Sequence, residues 1–242
     1  MVRYHSFVQV IFVVGLSAFL SAWAGASHAK SCSRMPKTKV TVKLLNSKAR
    51  LKHANTMTEI NRMFGVRAKS VGAGLNGWHA PGGKNSVIRG LTRAKLGASY
   101  QFHPYWVKSG GTYCYTAKDL TVEFGYTEHY VFIPRIYAPK SCEYKVVYNH
   151  ERTHVRINRQ ALSKFGATLK TKLEKKLAKS GVVVVRKQSA GVQTYRNLVN
   201  AVLADLIEEM YTYSTPLHDK IDTPSNYRRE DAKCKKWVKD VR

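Results

Sequence analysis

The chain has 242 residues, with 41 Lys and Arg against 15 Asp and Glu, and a formal net charge of +26. Its 44% hydrophobic and 11% aromatic residues are enough to bury a core, which excludes a chain that is mostly a disordered basic tail. The length fits one domain, or one with extensions. The charge points to anionic polymers or anionic membrane faces as surroundings and leaves the fold open.

Arg3 opens a short cationic region, and residues 7–26 are apolar apart from Gln9, Gly15, Ser17, Ser21 and Gly25, before Ser27 and Ala29. The pattern predicts a secretory signal peptide over residues 1–29, cut after Ala29 or Ala26. An uncleaved anchor is the alternative, since the run approaches the roughly 20 residues that span a bilayer. Lys30 and Ser31 stand where a lipidated Cys32 would need small apolar residues. No second run of that length follows, so no membrane span is expected after cleavage, and the protein is expected in the periplasm or outside the cell. Arg3 is the one ionised side chain within residues 1–29, so the positive excess belongs to the exported part.

Cys32, Cys114, Cys142 and Cys234 remain after cleavage, and an even number in an exported chain implies two disulfides with three pairings open. The expected pairs are Cys114 with Cys142, bracing a β region, and Cys32 with Cys234, tying the termini. A tetracysteine zinc site is the competing reading, but the sequence has no CxxC spacing.

Residues 30–85 read as an N-terminal extension. They hold an alternating strand, Lys39 to Leu44, and then a passage rich in glycine through Gly72, Gly74, Gly77, Gly82 and Gly83. Residues 86–242 read as the main domain. Short aromatic and β-branched runs at Ser99–Trp106, Thr112–Thr116, Leu120–Tyr126, Tyr130–Ile133 and Tyr144–Tyr148 predict a small, mostly antiparallel sheet. From Val146 to Lys179 apolar residues recur every three or four positions, which predicts an amphipathic helix broken near Gly166 and ended by Gly181. Val182–Val185 reads as a strand or loop. A second helix is expected from Val192 to Tyr213, ended by Pro216 and Pro224, followed by a charged tail anchored by Trp237. The expected fold class is α+β, with the sheet packed against two long helices in a zincin-like arrangement.

The first helix carries His150-Glu151-Arg152-Thr153-His154, an HExxH motif. Histidines at i and i+4 share one helix face, so both rings reach one zinc ion at about 2.0–2.1 Å. Glu151 beside them can take a proton from a zinc-bound water and deliver it to a leaving amine. A catalytic zinc needs a third protein ligand, and no HExxHxxGxxH extension exists, since Asn158 and Phe165 occupy that region. His218 is the candidate, with Glu209, Asp219 and Asp222 as acidic alternatives. Glu208 points away from the apolar face. Tyr211 and Tyr213 are candidate donors to a developing oxyanion, or packing residues. His53, His79, His103 and His129 have no paired spacing and read as structural. The motif's other reading is a basic surface helix with two solvated histidines.

These features resemble a family of bacterial secreted zinc-dependent proteases first described as a domain of unknown function. The resemblance covers residues 86–220 and rests on Leu91-Thr92 to Ser99-Tyr100-Gln101-Phe102, Cys114 opening a strand, Phe132-Ile133-Pro134 and His150 to His154. The family's later Tyr-Asp-x-x-Thr-x-His-Gly is echoed by Tyr211, Thr215 and His218 with one extra residue and without the Asp and Gly. The resemblance implies a zinc-dependent peptidase acting on protein or peptide substrates.

The expected activity is peptide-bond hydrolysis by zinc-bound water, with His150, His154 and His218 holding zinc and Glu151 as general base. Two rivals are a basic envelope-binding protein without activity and a zinc amidase acting on cell-wall material. Docking near an anionic envelope polymer is expected from the charge, and no specific nucleic acid. Retention of the exported chain on an immobilised anionic polymer should be lost as salt rises from about 0.1 M to about 1 M, where the Debye length falls from about 10 Å to about 3 Å. Retention that ignores salt would contradict electrostatic docking.

Overall fold

The structure is a computed structural model that describes residue 32, residues 35–70 and residues 89–238. The predicted signal peptide, Gly72 to Gly83 and His79 lie outside the described residues. The elements in order are β1 (Lys39–Asn46), β2 (Ala49–Lys52), α1 (Met57–Ser70), β3 (Leu91–Ser109), β4 (Thr112–Phe132), α2 (Cys142–Gly166), α3 (Leu169–Ser180), β5 (Val183–Val185), α4 (Gln188–Ile221) and α5 (Pro224–Asp231).

The aromatic runs between residues 99 and 133 are not separate short strands. They form one hairpin of β3 and β4, joined at Gly110 and Gly111, whose φ angles of 52° and 83° suit a tight hairpin turn. The buried positions along β4 explain why the sequence looked interrupted. Tyr115 and Ala117 are buried, then Leu120, Val122, Phe124 and Tyr126, then His129 and Val131, so the buried parity changes twice. Each change falls at a register shift where β4 carries one extra residue, Lys118 and Thr127, both exposed. A bulge adds one residue without a partner, and this resets the two-residue alternation so that one face of a 21-residue strand stays on the core. Pro104 sits at the register shift of β3 beside His103, a bulge position at which a strand tolerates proline.

The mostly antiparallel sheet expected from the sequence is corrected: the path β1–β4–β2 is parallel throughout. Every residue of β1 and β2 pairs with the residue 80 positions later, Lys39 with Asp119 and Ala49 with His129, so the two are one interrupted ribbon along a single edge of β4. Short-range alternation cannot reveal such pairing, because the partners are distant in sequence and the chain between them carries it back to the same end of the sheet. β5 extends the ribbon antiparallel against Tyr113–Tyr115. Residues 39–52, read as part of an extension, therefore belong to the same sheet as residues 91–132.

Helices α2, α3 and α4 cover one face of the sheet, not two long helices alone. Leu162, Leu173, Val199, Leu203, Leu206 and Met210 pack there against Leu120, Val122 and Phe124. The predicted break near Gly166 is present, with α2 ending there and α3 starting at Leu169. Tyr144–Tyr148, read as a strand, is the first part of α2, which starts at an N-cap Ser141 whose hydroxyl accepts from Tyr144 N at 3.1 Å. Helix α4 runs through Pro216 to Ile221 instead of stopping near Tyr213. Its buried stripe continues as Met210, Ser214, His218 and Asp222 at steps of four, and Pro216 is on the exposed side. The carbonyl that Pro216 leaves unpaired, four residues back at the exposed Thr212, therefore faces water.

The disulfides are Cys32–Cys114 and Cys142–Cys234, which corrects both expected pairs. Cys114 lies in β4 and Cys142 opens α2, so the two are separated by most of a long strand and are not neighbours in a hairpin. Each bridge closes a long loop, 82 and 92 residues, a chain-entropy gain of about 4.5 kcal/mol apiece. Such bridges fit folding in an oxidising compartment. Among the described residues, no helix is long and apolar enough to cross a membrane.

His129 is buried on β4, where its Nδ1 lies 3.2 Å from Ser47 Oγ while Nε2 has no hydrogen-bond partner. Burial pushes its pKa down to about 4. The unfolded chain protonates near 6.5, so it binds more protons than the folded chain between pH 6.5 and 4, and stability falls as the pH drops through that window. His129→Asn is expected to remove about 3 kcal/mol of the stability difference between pH 7 and pH 4, measured by urea unfolding at both values. An unchanged difference would show that His129 does not set the acid sensitivity.

Candidate metal centre

The buried stripe of α2 carries His150, Glu151, His154 and Asn158, each 6% exposed or less. That overturns the reading of solvated histidines. The centre completes itself at the elbow where α4 ends and α5 begins. Asp222 is the C-cap of α4, and Thr223 and Pro224 form the N-cap and first position of α5. The Thr223 hydroxyl accepts from Asn226 N at 3.2 Å. The elbow turns the Asp222 carboxylate onto α2.

Three atoms converge there. His150 Nε2 lies 3.2 Å from His154 Nε2 and 3.2 Å from Asp222 Oδ1, and His154 Nε2 lies 3.3 Å from the same oxygen. A tetrahedral zinc with bonds of about 2.0 Å separates its ligand atoms by about 3.3 Å, so the triangle has the edges that such an ion imposes. Asp222 Oδ2 is buried without a hydrogen-bond partner, as expected of a carboxylate oxygen whose natural neighbour is a cation. His150, His154 and Asp222 are thus a buried group able to bind a metal ion.

The outer partners fix which ring nitrogens are free. His150 Nδ1 lies 3.1 Å from the Glu230 carboxylate, so it donates there and leaves Nε2 as the lone-pair donor. His154 Nδ1 faces His218 Nδ1 at 2.8 Å, and His218 Nε2 faces Asn158 Oδ1 at 3.2 Å. One assignment satisfies the whole chain: His154 donates to His218, and His218 donates to Asn158. His154 Nε2 then also points a lone pair at the centre. Lone pairs of these atoms facing one another would repel, so without a metal ion a proton among them and the Tyr227 hydroxyl, which donates to Asp222 Oδ1 at 2.6 Å, relieve the contact.

The charge balance without metal agrees. Burial alone would lower the His150 pKa, but Asp222, Glu230 and the nearby Glu151 charge outweigh it and raise it to about 10, so this ring holds the proton. His154 is shifted down by complete burial. Burial would raise the Asp222 pKa, but the imidazoles of His154 and His150 against Oδ1 hold it well below the usual carboxylate range. Metal binding must displace that His150 proton.

Glu151, next to His150 on α2, is buried as well. The Thr92 hydroxyl reaches both its backbone oxygen at 2.9 Å and its carboxylate Oε2 at 3.0 Å, so the start of β3 orients the side chain. Gly90 allows the close approach: a Cβ there would lie 2.6 Å from Glu151 Oε1 and 2.6 Å from Val147 Cγ1.

Of the sequence candidates, His150, His154 and Asp222 meet, and Glu151 is the neighbouring residue of α2 with its carboxylate held by Thr92. His218 is placed as the partner of His154, outside the group of His150, His154 and Asp222. Glu209 is ion-paired with Lys172 of α3, and Asp219 is outside the converging group. Tyr213 packs on Phe165 with ring centroids 5.5 Å apart. Sequence reasoning missed Thr92, Asn158, Glu230 and Tyr227, whose hydroxyl donates to Asp222 Oδ1 at 2.6 Å. The legible signal was the spacing of His218 and Asp222 at i and i+4, hidden by reading Pro216 as a helix stop. Comparison with known protein families, curated proteins and solved structures finds no match to this chain, so the resemblance to secreted zinc proteases rests on its motifs alone.

Asp222→Asn is expected to abolish stoichiometric zinc binding. His218→Phe, which removes an outer partner, should weaken it about 10- to 100-fold and keep one zinc per chain, measured by competition with a chromophoric chelator. Equal loss in both variants would put His218 among the ligands.

Proposed function

We propose that the protein is an exported zinc-dependent peptidase that hydrolyses peptide bonds, with His150, His154 and Asp222 as zinc ligands and Glu151 as general base. The observation that carries this reading is the buried triangle of His150 Nε2, His154 Nε2 and Asp222 Oδ1, with Glu151 next in α2 and its carboxylate held by Thr92. Zinc, when bound, supplies a Lewis acid that activates water and polarises a substrate carbonyl near neutral pH.

The protein's own groups do the rest. Glu151 accepts the proton of the attacking water and returns it to the leaving amine, so the carboxylate is regenerated at the end of the cycle. Thr92 keeps the Glu151 carboxylate from rotating away between these two transfers. Glu230 and His218 hold the two imidazoles in one tautomer. Substrate reaches the centre from a groove of about 340 Å³ between α2 and α5, which has His150 in its wall and Lys145, Asn149, Asn226 and Lys233 around it. Its positive rim favours substrates carrying carboxylates. The chain's charge would hold the enzyme near an anionic envelope polymer, its expected partner.

Glu151→Gln should keep zinc and lose peptide hydrolysis by about 10²- to 10⁴-fold, with casein as substrate. Cleavage at the wild-type rate would end the proposed mechanism. Turnover of purified peptidoglycan with casein left intact would reassign the reaction to a cell-wall amidase.

A further inference from the structure

We propose that the turn end of the β3–β4 hairpin, together with β5, is a membrane-docking surface that settles into the headgroup region of an anionic phospholipid bilayer. This surface is separate from the metal centre, and its role does not depend on the peptidase reading. Among the described residues six large hydrophobic side chains are exposed, and three of them, Trp106 at 42%, Val107 at 36% and Val184 at 50%, gather at this end of the sheet. Val107 pairs with Cys114 and Cys114 with Val184, so the two valines lie on one face of three adjacent strands, either side of the residue that carries the Cys32–Cys114 bridge. Trp106, one position along β3, is on the opposite face.

The dimensions and chemistry of this end fit a bilayer surface. The turn from Ser109 to Thr112 has no charged side chain to bring toward lipid. Val107 and Trp106 stand two and three positions behind Ser109, which is about 7–10 Å at about 3.3 Å per residue. Apolar faces that dock on membranes enter the headgroup and acyl boundary by about 5–10 Å. Tyr105 and Tyr113, both partly exposed, join Trp106 there, and such rings concentrate at membrane interfaces. Lys108 and Lys118 on the hairpin and Arg186 and Lys187 just after β5 are all exposed, and such side chains are drawn to anionic headgroups. No Asp or Glu occurs in residues 104–118 or 175–190. The nearest acids along the chain are already paired, Asp119 with His103 at 2.7 Å and Glu174 with Lys170 at 3.8 Å.

Two observations favour a bilayer over an anionic polymer. Attraction by charge alone would leave Trp106, Val107 and Val184 in water, whereas a bilayer covers them. The apolar run of spanning length, residues 7–26, ends six residues before Cys32, and the Cys32–Cys114 bridge ties that part of the chain to the strand between Val107 and Val184. Thr92, which orients Glu151, lies fourteen residues back along β3 from Trp106, so docking by this end would hold the buried site up to about 45 Å from the lipid.

The test uses the exported chain, which retains every described residue, and vesicles of phosphatidylglycerol and phosphatidylcholine in equal parts. Wild type should sediment with these vesicles and stay in solution with pure phosphatidylcholine. Trp106→Ser combined with Val107→Ser should weaken binding about 10- to 100-fold, and Arg186→Gln combined with Lys187→Gln about 10- to 30-fold. Leu51→Ser, which removes an exposed leucine of β2 at the other end of β4, should leave binding unchanged. Lipid brominated in its acyl chains should quench the tryptophan fluorescence of wild type, and Trp106→Phe should still bind and lose that quenching. Wild type that ignores the anionic vesicles, quenching that persists in Trp106→Phe, or an equal loss in Leu51→Ser would overturn the proposal. Full binding by the double serine variant would also overturn it and assign the attraction to charge alone, as toward a polymer. A wild-type dimer that becomes monomeric in Val107→Ser, in the absence of lipid, would overturn it in favour of a second copy of this chain.

Discussion

Each of the other strands hydrogen-bonds to β4, so this one strand must keep a single face on the helices along its whole length. A 21-residue strand cannot do that by strict alternation while it twists and bends around a helical layer. The bulges at Lys118 and Thr127 solve the problem locally, since each costs one unpaired residue and resets the inward face. Everything else is placed from there. The parallel ribbon of β1 and β2 covers one edge, β3 covers the other, and Thr92 at the start of β3 meets the HExxH helix where Glu151 needs an orienting partner.

The metal centre is expensive to bury. Two histidines, an aspartate and a glutamate lie within the hydrophobic interior, and without a cation their desolvation is only partly offset by the one proton on His150. The protein compensates with a second layer of polar contacts through Glu230, His218, Asn158 and Thr92. It also adds covalent constraint, because Cys142–Cys234 fastens the segment after α5 to the first residue of α2. The elbow carrying Asp222 and the helix carrying the HExxH motif are thereby held together from both ends.

The basic surface and the buried site are separate layers of the molecule. Lys170, Lys175, Lys176 and Lys179 lie on α3, exposed or partly so, and their charges act over a Debye length. The centre lies at the far end of the helical layer, where local carboxylates dominate the potential at the imidazoles. A change in surface charge should therefore alter where the protein resides more than how the site titrates.

The sequence by itself determined the local features: the helical pair of His150 and His154, the break at Gly166, the long apolar helix that follows, and an even set of cysteines. Each is written in periodicity or spacing over a few turns of chain. It did not determine the parallel pairing of β1 and β2, the continuity of β4 through two parity changes, the disulfide partners or the meeting of Asp222 with His150 and His154. Apart from β4, whose continuity rests on its hairpin with β3, these depend on residues brought together across 64 to 92 positions, and no local pattern records such distances. Asp222 shows the limit most clearly. Its i+4 spacing from His218 was visible, but Pro216 argued for a stop, and only the packing of α4 against α2 showed that an exposed proline can be carried when the buried stripe continues beneath it.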